Sequence, residues 1–142
     1  MVMKINILVI GGGGREHALT WAINRSEYSE KIYVSPGNGG TRNIANNVQL
    51  NHNNHQEIID FCQNNQIGLV VIGLELELVA GLANSLNAAN IKVFGVSKEA
   101  AILEASKDFT KDFCQKYDIS TASYQSFTEA TAAITYLKNV NY

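Results

Sequence analysis

Gly11-Gly12-Gly13-Gly14, followed by Arg15-Glu16-His17, is the stretch with the clearest chemistry in this 142-residue chain. Glycines turn tightly and let a ligand approach bare backbone. Set between a strand and a helix N-terminus, they present free N–H groups and the positive end of a helix dipole. That is a site for an anion, most often a phosphate. A second loop, Ser35-Pro36-Gly37-Asn38-Gly39-Gly40-Thr41, contains the only proline of the chain and has a specified shape. A third, Gly73-Leu74-Glu75, adds a carboxylate. Common nucleotide motifs do not fit. Aligning Gly11 and Gly13 with G-x-G-x-x-G puts Glu16 at the third glycine, and no acidic residue closes the second strand. No G-x-x-x-x-G-K-[ST] occurs either. The pattern points to a phosphate, but not to NAD or a P-loop nucleotide.

The elements that must position these loops follow from periodicity. Ile5–Ile10 is a β-branched apolar run that reads as a buried strand, and Ala18, Leu19, Ala22 and Ile23, with the bulk of Trp21, predict an amphipathic helix. Lys31–Val34 is a second strand, and Val48–Leu50 a brief extended piece. Asn54 with Glu57 resembles a capping box opening a helix through Phe61 and Cys62, which Asn64-Asn65 end in a left-handed turn. Ile67–Ile72 is an aliphatic third strand. One helix carrying Leu78, Val79, Leu82 and Leu86 follows, then a fourth strand, Ile91–Phe94. This order predicts an α/β fold with a doubly wound parallel sheet, and all three loops then lie at the carboxyl ends of strands, where such sheets bind ligands. Beyond Gly95, Ser97 and Ser106 cap two helices, Ala122–Tyr124 is extended, and Thr128 caps a last helix to about Leu137. Residues 1–96 thus form one domain, and 97–142 a linker and the start of another. Asn139–Tyr142 carry no further strand, which reads as an interruption.

Composition sets the class. Hydrophobic residues make up 46% and charged ones 17%, as in a globular protein with a core. A net charge of −2 offers no footprint for nucleic acid or an anionic membrane, and no apolar run is long enough to span a bilayer. Without a secretory signal, Cys62 and Cys114 read as reduced core thiols and the location as cytoplasmic. His17 reads as a packed or capping histidine, and His52 and His55 as solvated loop residues. Arg15, Glu16, Lys107 and Lys111 each also read as solvated surface residues.

Gly13-Gly-Arg-Glu-His-Ala18, Pro36-Gly-Asn38 with Gly40-Thr41, Val71-Ile-Gly73 with Glu75, and Phe94-Gly95 resemble phosphoribosylamine–glycine ligase (glycinamide ribonucleotide synthetase). Leu103-Glu-Ala-Ser-Lys107 and Phe109-Thr-Lys-Asp-Phe113 extend the resemblance, which runs from about Ile5 to Leu137. It implies a Rossmann-like pre-ATP-grasp domain followed by the first helices of an ATP-grasp domain. It also implies a ligase of purine biosynthesis that joins 5-phosphoribosylamine to glycine using ATP and Mg²⁺, through an acyl phosphate of glycine.

By the same resemblance, the backbone of Gly12, Gly13, Gly14 and Arg15 faces the substrate phosphate. Gly37, Asn38, Gly40 and Thr41 complete the phosphate and ribose pocket, with Thr41 donating its hydroxyl. Glu75 accepts from ribose hydroxyls or the amine, and Lys107 reaches ATP phosphates. No catalytic residue and no metal ligand is expected within the chain, so the isolated chain is expected to bind substrate phosphate without turnover. Leu74, Glu77, Val96 and Ser120 stand where the family has proline, and Ala105 where it has glycine. Two other readings remain at this level: a non-catalytic phosphosugar- or nucleotide-binding module, and a truncated remnant that binds nothing.

Overall fold

The structure, a computed structural model, describes residues 3–140. Asn141 and Tyr142, in the terminal stretch where no strand is expected, lie outside the described residues. The chain divides into two compact units, Met1–Ala105 and Ser106–Tyr142.

In the first unit, β1 (Ile5–Gly11) leads into α1 (Gly14–Asn24), β2 (Ser29–Pro36), a 3-10 turn (Thr41–Asn43) and β3 (Asn46–Asn47). There follow α2 (His55–Asn64), β4 (Ile67–Ile72), α3 (Glu75–Ala80), α4 (Leu82–Ala88), β5 (Val93–Phe94) and α5 (Lys98–Ala105). The strands form one parallel sheet in the order β3-β2-β1-β4-β5, the doubly wound arrangement predicted from the sequence. β1 shows why these residues make this fold. Successive side chains of a strand point to opposite faces. Ile7 and Val9 accordingly join Ile32, Val34 and Val71 on the face that Leu19 and Ile23 of α1 cover. Leu8 and Ile10 join Val70 and Ile72 on the other face, against Ile58 and Cys62 of α2 and Leu82, Ala83 and Leu86 of α4. With both faces covered, the strand is apolar at nearly every position rather than alternating.

Several local expectations are corrected. The single helix expected after β4 is two, because Gly81 takes a left-handed conformation (φ 91°) between α3 and α4. The ladder residues beyond β2 are Asn46 and Asn47, ahead of Val48–Leu50, although the Val48 N–H still donates to Val34 O at 2.9 Å. The last strand is shortened to Val93–Phe94. Asn54 caps α2 as expected, accepting from the Glu57 N–H at 3.3 Å, but the Glu57 carboxylate accepts from the Asn51 N–H instead of completing a box. The left-handed residue after α2 is Gln66 (φ 51°), not Asn64 or Asn65. Trp21 adds no bulk to the core: it is 52% exposed, with the Arg25 guanidinium 4.5 Å above its ring.

The second unit holds α6 (Lys107–Lys116) and α7 (Ala130–Asn139). Ser106 caps α6 as the sequence predicts, accepting from the Phe109 N–H at 3.2 Å. Phe113 packs 4.6 Å from Tyr117, ring to ring. Lys111 is not a free solvated cation, since its Nζ donates to Thr121 Oγ1 and to Ala122 O, each at 2.7 Å. Residues 122–124 are irregular, and α7 begins after Glu129 with no side-chain cap, so Thr128 does not open it. Cys62 is buried and Cys114 half-buried; both are free thiols. Among the described residues no helix is long and apolar enough to cross a membrane.

Candidate functional site

In the order β3-β2-β1-β4-β5, the winding reverses between β1 and β4, and ligands of doubly wound sheets bind at that carboxyl-end crevice. The three loops meet there and are tied to one another. The Gly37 N–H donates to Gly11 O at 3.3 Å, joining the second loop to the first. Asn38 Nδ2 donates to Gly12 O at 3.0 Å and to Gly13 O at 3.2 Å. Arg15 Nη1 donates to Gly73 O at 2.7 Å, joining the first loop to the third.

Each loop owes its shape to identifiable residues. Gly37 stands at φ 69°, and a Cβ there would lie 2.6 Å from Asn47 Cγ, so conformation and close approach both demand glycine. Asn38 Oδ1 accepts from the N–H groups of Gly40 (2.8 Å) and Thr41 (3.0 Å), closing the turn. The ring of His17 fills the space beside Gly40, so this histidine is packed. Thr41 corrects an expectation. It is fully buried, and its hydroxyl lies 2.8 Å from both Asn38 N and Asn47 Oδ1. Its hydroxyl is used within the loop, so Thr41 shapes the wall and does not donate into the groove. Asn38, with both ends of its amide engaged, likewise acts as a strap between loops.

Glu16, like His52, is a residue that sequence reasoning placed wrongly at the surface. Glu16 is buried, at 2% exposure, and its Oε2 accepts from the Gly13 N–H at 2.7 Å. Its side chain occupies the places where a Cβ on Gly11 or on Gly73 would stand, at the floor of the crevice between β1 and β4. The Gly13 N–H, expected in the anion cradle, is therefore already taken. Gly14 and Arg15, at the first two positions of α1, keep N–H groups that a helix cannot satisfy internally, and both residues are exposed. The three-residue step from Gly13 to Glu16 is the capping-box spacing, a signal that could have revealed this contact.

Arg15 Nη1 also stands 2.8 Å from Glu75 Oε1, with the two side chains 60% and 38% exposed. The Glu75 carboxyl is held below its ordinary range, first by its own backbone N–H at the start of α3, then by Arg15. Exposed helix amides, a guanidinium and a carboxylate thus lie together at the strand ends, the last two paired with each other. Such an array can hold an anionic group and orient hydroxyls or an amine beside it.

Residues 5–104 match the family described as phosphoribosylglycinamide synthetase, N domain. The chain belongs to this family. Similar curated proteins include the phosphoribosylamine–glycine ligase of Pasteurella multocida, 46% identical over 136 residues, covering 94% of this chain and 32% of that one. The corresponding ligase of Rhizobium meliloti is 48% identical over 134 residues, covering 94% and 32%. A crystal structure of phosphoribosylamine–glycine ligase from Thermotoga maritima superposes with a TM-score of 0.69 at 27% identity, covering 96% of this chain and 31% of that one. The chain spans about a third of the length of the curated relatives it matches.

The N-domain match takes in every loop candidate, Gly12 to Arg15, Gly37 to Thr41 and Glu75, and ends before Lys107. Lys107 belongs to the second unit, exposed as the first residue of α6. Among the described residues no group of three His, Cys, Asp or Glu side chains could hold a metal ion.

Proposed function

We propose that the chain supplies the phosphoribosylamine-binding part of a phosphoribosylamine–glycine ligase, an ATP-dependent enzyme of cytoplasmic purine biosynthesis. The observation that carries this reading is the convergence of three strand-end loops on the start of α1, with Arg15 bonded to Gly73 and Glu75. The amides of Gly14 and Arg15 receive the 5-phosphate, and the Arg15 guanidinium adds a charge that suits it. Glu75 orients the ribose hydroxyls or the amine. The role is one of proximity: the amine is held where an acyl phosphate of glycine can be attacked. Lys107 is assigned to ATP phosphates by the resemblance of Leu103–Phe113.

Titration with ribose 5-phosphate and with AMP, followed through the amide resonances of residues 12–15, tests this reading. Saturable shifts with ribose 5-phosphate are expected. A response that requires adenine would favour a nucleotide-binding module, and no saturable response at millimolar ligand would favour a remnant that binds nothing. The isolated chain is expected to release no ADP in a coupled assay. Release dependent on glycine and phosphoribosylamine would overturn the assignment of a binding role alone.

A further inference from the structure

β2 and β4 are not neighbours in the sheet, because β1 separates them, so no ladder joins the second loop to the start of α3. One side chain makes that connection. His52 Nε2 lies 2.9 Å from Ser35 Oγ, at the end of β2, and His52 Nδ1 lies 2.9 Å from Glu77 Oε1, in the first turn of α3. His52 and Glu77 expose only 14% and 15% of their side chains, and Ser35 is fully buried. Ser35 Oγ also accepts from the Leu50 N–H at 3.3 Å. Both ring nitrogens of His52 are thus engaged, one by a buried hydroxyl and the other by a carboxylate.

Serine, histidine and carboxylate in this sequence are the parts of a nucleophile relay. Here the relay has no access to a substrate, since Ser35 is 0% exposed. What the geometry does instead is mechanical. Ser35 lies just ahead of the Gly37–Thr41 wall, and Glu77 shares a helical turn with Glu75. We propose that His52 is a positioning residue: the Ser35–His52–Glu77 clasp sets the wall of the second loop against the first turn of α3, and so places Glu75 in the groove. The inference rests on reading that groove as the sugar-phosphate site.

Amide hydrogen exchange and ribose 5-phosphate titration test it together, on the full chain and its His52→Ala, Glu77→Ala and Glu77→Gln variants. In both alanine variants, the amides of Gly37, Asn38, Gly40 and Thr41 and those of Val79–Gly81 should exchange about tenfold faster together. Those of Leu8–Ile10 should be unchanged. Glu77→Gln, which keeps an acceptor for Nδ1, should stay within about twofold of the parent chain, and ribose 5-phosphate should bind about tenfold more weakly only to the alanine variants. Faster exchange confined to the substituted side, or extending through β1, would overturn the clasp, as would equal effects of Glu77→Gln and Glu77→Ala. If the parent chain bound no ribose 5-phosphate, the reading of the groove would fail, while the clasp would still be decided by exchange.

Discussion

Arg15 and Glu75 stand on different loops, and their 2.8 Å contact sets a cation and a carboxylate side by side next to the glycine loop. Both side chains are more than a third exposed, so their pairing bears on local order more than on global stability. The sign of its pH dependence follows from Glu75. With its carboxyl held below the ordinary value, the pairing is fully present above that value and is lost as pH falls through the lowered one. Side-chain NMR titration should find Glu75 ionising below the usual range. Arg15→Ala should move it only part of the way back, because the largest cause is the backbone N–H at the start of α3. A complete return to the ordinary value would mean that Arg15 alone sets it. Glu16 shows the limit of reading residues singly: a carboxylate beside an arginine looks like a surface group, yet Gly11 and Gly73 leave room for it and for nothing larger on their own backbone.

At the level of elements, the break at Gly81 lets α3 carry Glu75 and Glu77 while α4 packs Leu82 and Leu86 into the core. A Cβ at Gly81 would meet Lys98 Cδ at 3.4 Å, an ordinary contact, so the cost of Gly81→Ala is conformational. Urea denaturation should show a loss of about 1–2 kcal/mol with an unchanged m-value. β1 and β4 were legible in the sequence because strands covered on both faces are apolar throughout, and the caps at Asn54 and Ser106 because a short polar side chain before a helix has a local task. The break at Gly81 was not, since Leu78, Val79, Leu82 and Leu86 keep a helical spacing across it. In the site, the three loops were legible from their glycines and from the strands before them. The contacts of Thr41, Asn38, His52 and Glu77 were not, because each depends on a partner brought near only by the folded sheet.

Across the whole chain, buried side chains are unevenly shared. The two large apolar clusters lie within Met1–Ala105, whereas none of the described residues of Ser106–Tyr142 is buried. Elements with few buried contacts open more readily. Amides of α6 and α7 should therefore exchange at least about tenfold faster than those of β1 and β4, measured by NMR on the full chain. Equal protection would mean that the two units open as one. The central place of β1 also bears on biosynthesis. As the chain leaves the ribosome, Ile5–Gly11 emerges well before its partners, which begin at Ser29 and Ile67. Until β4 and α4 follow, the nascent chain carries an uncovered aliphatic ribbon, the kind of segment that chaperones shield. The glycine loop is translated ahead of the elements that complete it, and its third wall exists only when the core closes. Translation pauses between Val34 and Ile67 would thus prolong the interval in which a newly made chain is open to misassociation.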